Sequence, residues 1–296
     1  MKKFFKIIFI NILVILALII ATELICCISK KEFLSKPTFK HLKDMMKVQY
    51  SFNSEIHDGR YRFIPYFENK IQMCPNQPII LVGGSFTNGF GIEDNYTFDA
   101  QLKKYTNRDI YNLGINGGGP REILMSIQNE NLIKRIHKTP QYIIYTYIPD
   151  HKRRLYVPLA FLNANYKPIN NYKDLQFYTP IMPIYKSFIY ETIMNKLYKN
   201  NLIKTTEQLF NLYIKKINEE INKQFGENTQ LIILVYYEKE KENWNEIKKY
   251  GIKVINIQED WNINTQEPQF KGKDQEHPNA KAWEVIVPKL IKELGL

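Results

Sequence analysis

Apolar residues fall along this chain in two alternating rhythms. Short, nearly unbroken apolar runs occur at Pro78–Val82, Asp109–Leu113, Tyr142–Ile148, Leu231–Tyr236 and Lys253–Ile257. Runs of this length bounded by turn residues read as strands buried on both faces. Between them lie segments with helical spacing: Phe98–Tyr105, Arg121–Ile136 (apolar at Ile123, Leu124, Ile127 and Ile133), Thr205–Phe225, Trp244–Tyr250 and Lys281–Leu294. Strand–helix alternation predicts an α/β domain of three layers, α/β/α, around a five-stranded parallel sheet. Ligands of such sheets sit in the crevice beyond the carboxyl ends of the strands. Ser85, Gly117, Asp150 and His151 follow predicted strands closely and are expected on that rim.

The first 30 residues obey neither rhythm. Phe4–Ile28 is long and apolar enough to cross a bilayer, and Lys2, Lys3 and Lys6 precede it. The spacing predicts a transmembrane signal anchor over 1–30, and the lysines favour a cytoplasmic N-terminus, although Lys30 and Lys31 oppose that orientation. Two other readings stay open. A cleaved signal peptide needs a small-x-small site, which Ala21-Thr22-Glu23 matches poorly, and a lipidated cysteine follows a small residue, whereas Cys26 follows Ile25. On each reading the bulk of the chain lies outside the cytoplasm, and the expected localisation is single-pass at the membrane, periplasmic or cell-surface. Residues 31–77 form a juxtamembrane and lead-in segment with turns at Gly59 and Pro75; His57 and Arg60 reach the crevice only if that segment folds back. Residues 78–296 form the main domain.

Within that domain, 152–200 breaks the alternation with an insert rich in Tyr, Pro and Asn, carrying one predicted helix at Tyr185–Leu197. Its aromatic residues form either a lid or, more in keeping with an insert, a small core of its own.

Composition narrows the chemistry. At 296 residues the chain can bury the core of one large domain. Its formal net charge of +11 raises the question of nucleic acid, but no helix-turn-helix, finger or aromatic-basic RNA-binding pattern occurs, so no nucleic-acid partner is expected. Of the three cysteines, two lie at the membrane end and Cys74 stands alone, which excludes a disulfide framework. The five histidines are scattered, so neither a metal nor a cofactor is expected.

Two stretches carry the candidate chemistry: Gly83-Gly84-Ser85-Phe86-Thr87-Asn88-Gly89 and Asp274-Gln275-Glu276-His277-Pro278-Asn279. A serine hydroxyl becomes a useful nucleophile when an imidazole takes its proton, and a carboxylate on the far ring nitrogen fixes the tautomer. Other serine and glycine loops do not fit. The Gly-Lys-Ser/Thr ending of a phosphate loop is missing, Gly89-Phe90-Gly91 lacks a third dinucleotide glycine, and Thr87 stands where the α/β-hydrolase elbow needs glycine. Taken alone, Gly83-Gly84-Ser85 also fits a turn before a helix.

Together the two stretches resemble the first and last blocks of the GDSL, or SGNH, hydrolase superfamily over about Pro78–Leu296, with Gly84 in place of the usual aspartate. The resemblance implies a flavodoxin-like sheet, a catalytic triad of Ser85, Asp274 and His277, and an oxyanion hole built from the Ser85 and Gly117 main-chain N–H groups. Gly117 comes from Asn112-Leu113-Gly114-Ile115-Asn116-Gly117, which matches the second block. The third block departs: Ile148-Pro149-Asp150-His151 stands where an asparagine donor is usual. Asp150 cannot donate as a carboxylate; His151 is either a third donor or an ordinary loop residue. Asp150, Arg153 and Arg154 are candidates for holding substrate, against a solvated basic turn. By resemblance the substrate is an acyl, notably acetyl, ester of a cell-envelope glycan, either hydrolysed or transferred to another hydroxyl. The alternative is a binding module that keeps the fold without the chemistry.

Overall fold

The computed structural model describes residues 76–134, 136, 138–155, 196 and 206–296, with isolated helical positions between 9 and 21. The rest of the predicted anchor, the lead-in segment with His57, Arg60 and Cys74, and nearly all of the insert with its Tyr185–Leu197 helix lie outside the described residues. Among the described residues no helix is long and apolar enough to cross a membrane.

The five apolar runs form strands β1 (Ile79–Gly83), β2 (Ile110–Gly114), β3 (Tyr142–Tyr147), β4 (Gln230–Val235) and β5 (Lys253–Asn256). All pair in parallel, in the order β2-β1-β3-β4-β5. The order reverses direction between β1 and β3, where Gly83 is in register with Thr146. The loops after β1 and β3 therefore diverge and open a crevice at this switch point.

Helices cover both faces of the sheet. The long ones are α2 (Phe98–Tyr105), α3 (Pro120–Gln128), α6 (Thr206–Phe225) and α9 (Ala280–Leu294); between them lie the short α1 (Ser85–Asn88), α4 (Glu130–Ile133), α5 (Asp150–Arg153), α7 (Asn245–Lys248) and α8 (Ile257–Trp261). Side chains alternate between faces along each strand. Ile80, Val82, Tyr145, Tyr147 and Ile233 join Ile123, Ile127, Phe210 and Ile217 of α3 and α6 in one core. Ile79, Leu81, Ile144, Ile232 and Leu234 join Phe98, Leu102, Trp283 and Ile286 of α2 and α9 in the other. There Phe98 stacks on Trp283 at 4.3 Å and 7°.

Three helices differ from the periodic reading. The predicted Arg121–Ile136 helix breaks at Asn129, whose extended ψ of 96° separates α3 from α4; asparagine competes with helix through its own polar side chain. The predicted Trp244–Tyr250 helix contracts to α7, and the left-handed Gly251 (φ 75°) ends its last turn. The last helix starts one residue early because Asn279 Oδ1 caps it, accepting the Ala282 N–H at 3.1 Å.

Gly114 brings β2 against α1. A Cβ there would lie 2.4 Å from the Asn88 main-chain nitrogen and 2.8 Å from the Thr87 carbonyl carbon. Main chain cannot yield as a flexible side chain does. Gly114→Ala is therefore expected to destabilise the fold by about 1–3 kcal/mol, as overpacked cores do. A urea unfolding midpoint unchanged from the parent would contradict this close approach.

Candidate active site

The nucleophile candidate stands on a short helix that is tied down on both sides. Ser85 begins α1 directly after β1, and Thr87 Oγ1 donates back to the Val82 carbonyl at 3.2 Å. Asn88 Nδ2 donates to the Gly114 carbonyl at 2.9 Å. From β2, the fully buried Asn112 donates through Nδ2 to the Thr87 carbonyl at 2.9 Å and to Asp99 Oδ1 at 2.6 Å. These bonds fix the direction in which α1 presents Ser85. The roles of Asn112 and Asp99 are missing from the sequence reading; a buried asparagine at a strand end was the available signal.

The base candidate comes from a loop closed on itself. Gly272 N–H donates to the His277 carbonyl at 2.7 Å, and Asn279 Nδ2 holds the Gln269 and Lys271 carbonyls at 2.8 and 2.9 Å. Inside it, Asp274 Oδ1 accepts the N–H groups of Glu276 and His277, each at 3.1 Å. Gln275 takes a left-handed conformation, φ 63°, to make that turn.

The two loops meet. His277 Nε2 lies 2.8 Å from Ser85 Oγ, and His277 Nδ1 lies 2.5 Å from Asp274 Oδ2. Phe86 and Phe90 flank the imidazole, with centroids 5.2 and 5.0 Å away. Ser85 is 7% exposed and Asp274 3%. Burial pushes the Asp274 carboxyl up, but hydrogen bonding and charge from His277, with the two main-chain N–H groups, more than offset this and leave it below its usual value. The acid is thus ionised at neutral pH, and it holds the imidazole by Nδ1. With Nδ1–H donated to Asp274, Nε2 offers its lone pair to the Ser85 hydroxyl.

Two main-chain N–H groups here take no acceptor among the described residues. Ser85 opens α1, where an N–H has no intrahelical partner. Gly117 sits at φ 76°, in a loop whose bonds run from Gly118 N–H to the Ile115 carbonyl (2.8 Å) and from Ile115 N–H to the Gly83 carbonyl (2.9 Å). Among the described residues these bonds leave the Gly117 N–H unused.

The other predicted site residues are placed differently. His151, expected to line the crevice or sit in an ordinary loop, is fully buried in α5. Its Nδ1 lies 2.8 Å from the Tyr145 hydroxyl, the two rings stack at 5.5 Å, and Nε2 has no hydrogen-bond partner among the described residues. Burial, then the Arg154 charge, hold its pKa well below 6.5, against the opposing Asp150. Tyr145 thus occupies one ring nitrogen, and the other faces Gly84, 2.8 Å from where a Cβ on that residue would lie.

Arg154 is likewise neither a rim residue nor part of a solvated turn. It is 7% exposed, with Nε 2.8 Å from Asp150 Oδ2 and Nη1 2.7 Å from the Gly118 carbonyl. The Asp150 carboxylate and the Gly118 carbonyl hold it inward. Lys152 pairs with Glu242 at 2.8 Å and lies over the Phe210 ring at 5.5 Å. Asp150 keeps a partly exposed side chain. The Arg153 side chain lies outside the described residues. Tyr237, absent from the sequence reading, stands beside Phe86 at 6.4 Å. Burial raises its pKa first, the Asp150 and Glu276 carboxylates raise it further, and the Arg154 charge opposes them. Among the described residues no group of three or more His, Cys, Asp or Glu is disposed to hold a metal ion.

No family model matches the chain, and no curated protein sequence does. Solved structures do resemble it. A lipase/acylhydrolase from Enterococcus faecalis is 12% identical with a TM-score of 0.42, over 74% of this chain and 95% of that one. AlinE4, an SGNH-hydrolase family esterase, is 14% identical with a TM-score of 0.39, over 74% and 96%. A carbohydrate esterase family 2 enzyme with a carbohydrate binding domain, from Corynascus thermopiles (Myceliophthora fergusii), is 13% identical with a TM-score of 0.43, over 79% and 70%. At TM-scores below 0.5, none of these likenesses bears on the chemistry, which rests on the geometry.

The buried His151 makes stability depend on pH. It is neutral in the folded chain, whereas in the unfolded chain it ionises near pH 6.5. Below that pH the unfolded state binds the extra proton, so stability falls as pH drops. One such group contributes at most about 1.4 kcal/mol per pH unit. Asp274 acts in another window: its contribution is complete above about pH 4 and is lost as pH falls through its lowered value. Urea midpoints between pH 7.5 and pH 5 are expected to fall less steeply in His151→Asn, which keeps a polar partner for Tyr145. Equal slopes in the two proteins would refute a neutral buried His151.

Proposed function

We propose that the chain is a serine esterase of the SGNH, or GDSL, type that acts through an acyl-enzyme. One observation carries the reading: Ser85, His277 and Asp274, drawn from opposite ends of the domain, form a continuous hydrogen-bonded series of 2.8 and 2.5 Å.

Ser85 Oγ attacks the ester carbonyl carbon as its proton passes to His277 Nε2. Asp274 remains ionised and stabilises the imidazolium across Nδ1. Negative charge developing on the carbonyl oxygen meets the Ser85 and Gly117 N–H groups, and a donor of this kind is worth about 2.7–4 kcal/mol in the barrier. The carbon–oxygen bond to the leaving alcohol breaks, and His277 returns its proton to that alcohol. Water then attacks the acyl carbon, giving a proton to His277; the bond from that carbon to Ser85 Oγ breaks, His277 returns the proton to Oγ, and the acid leaves. A sugar hydroxyl in place of water transfers the acyl group by the same steps.

The substrate class we infer is an acyl, notably acetyl, ester of a cell-envelope glycan, cleaved or transferred by a domain tethered outside the cytoplasm. The block resemblance supports the glycan ester. The lysine-led apolar stretch supports the tether, together with its helical positions Phe9, Leu13, Val14, Ile15, Leu18 and Ile20, all exposed and apolar.

On p-nitrophenyl acetate, Ser85→Ala is expected to abolish turnover, and Asp274→Asn to lower kcat by roughly 10⁴-fold with the fold intact. Turnover retained by Ser85→Ala would sink the reading. With an acetylated polysaccharide, free acetate in the products marks hydrolysis, and acetate found only on an added acceptor marks transfer. Binding of the polysaccharide without either product would favour a non-catalytic module.

A further inference from the structure

We propose that Arg154 is a positioning residue for the oxyanion-binding loop, an inference that rests on the esterase reading above. Its guanidinium lies against both strands' loops at once. Nη1 donates to the Gly118 carbonyl at 2.7 Å, and the same atom would stand 2.9 Å from a Cβ placed on Gly84. His151 Nε2 would stand 2.8 Å from that Cβ, and the Gly118 carbonyl oxygen 3.0 Å. Position 84 is therefore glycine for a reason of space: any side chain there would meet an imidazole and a guanidinium behind the nucleophile.

The glycine loop is held on both sides of Gly117. Ahead of it, Ile115 N–H binds the Gly83 carbonyl at 2.9 Å, which ties the loop to the end of β1. Beyond it, Arg154 holds the Gly118 carbonyl, and the Gly119 N–H donates to the buried Glu122 Oε2 at 2.9 Å. Glu122 is braced in turn by Arg121, with Oε1 2.9 and 3.0 Å from two guanidinium nitrogens. With its neighbours bonded in this way, the Gly117 N–H takes no acceptor among the described residues.

Arginine suits this task because its planar fork addresses two acceptors in fixed directions. Asp150 Oδ2 takes Nε at 2.8 Å from one turn earlier in the chain, which sets the guanidinium plane, and Nη1 then reaches Gly118. A buried guanidinium is costly to desolvate, and well-packed apolar residues often serve stability as well. A charge retained here, directly behind the serine and glycine loops, serves alignment of the Gly117 amide. Arg154 touches no substrate; it acts through Gly118.

The test uses the full chain in detergent, p-nitrophenyl acetate as substrate and phenylboronic acid as a tetrahedral mimic whose oxygen occupies the oxyanion position. Arg154→Lys keeps the charge and loses the fork. It is expected to lower kcat at least tenfold and to weaken phenylboronic acid inhibition by a similar factor, with KM within twofold of the parent. Asp150→Asn removes the charge that holds Nε, weakening the hold on the guanidinium plane, and is expected to move kcat and inhibition the same way by a smaller factor. It keeps the test decisive if Arg154→Lys folds poorly.

A folded Arg154→Lys or Asp150→Asn with kcat and inhibition both within twofold of the parent would overturn the proposal. So would a raised KM at constant kcat, which belongs to ground-state binding. Failure of the underlying esterase reading looks different, because the unmutated chain then lacks turnover that depends on Ser85.

Discussion

The hydrogen bond between Ser85 and His277 closes a circuit of 192 residues, and the rest of the domain can be read as what keeps it closed. A hydroxyl and an imidazole misplaced by a single ångström lose most of their capacity to exchange a proton. One partner hangs from the end of strand β1, the other from the loop that leads into α9. Their separation is therefore fixed by how α9 seats on the sheet. That seat is made by Trp283 stacked on Phe98 of α2, with Ile286, Val287 and Leu290 buried beneath. Packing on one face of the sheet thus sets a distance at its rim.

The two histidine environments illustrate how surroundings decide chemistry. His277 has a carboxylate on one nitrogen, a hydroxyl on the other and two aromatic rings against its faces. His151 has a phenol on one nitrogen, no partner among the described residues on the other, and a guanidinium near enough to oppose its protonation. The first is arranged to accept and return a proton; the second is arranged to stay neutral. Both lie beyond strands of the same sheet, so residue type and place in the sequence do not separate them. The partners do.

Much of this is legible in the amino-acid sequence. Continuous apolar runs are what strands buried on both faces require, and each predicted run forms a strand of the sheet within a residue of its expected bounds. The Ser85 and Asp274–His277 stretches were visible because glycines before a serine, and a carboxylate three residues before a histidine, are chemically pointed spacings. The short helices α1, α5 and α8 were not legible, since a single turn has no 3.6-residue period to detect. Arg154 was misread because a basic run has no visible orientation. Only Asp150, one turn earlier, hints that its guanidinium is held inward. Gly84 carried no signal for its neighbours: the need for empty space appears only when the third dimension supplies the imidazole and guanidinium that fill it.

The most direct measurement is the site of covalent capture by a fluorophosphonate, mapped by peptide mass spectrometry on the intact chain and on His277→Ala. A single adduct on Ser85, formed in the parent and strongly slowed when the imidazole is removed, is the expected result. An adduct on another residue, or labelling of Ser85 at the same rate without His277, would contradict the proton path on which the proposed chemistry rests.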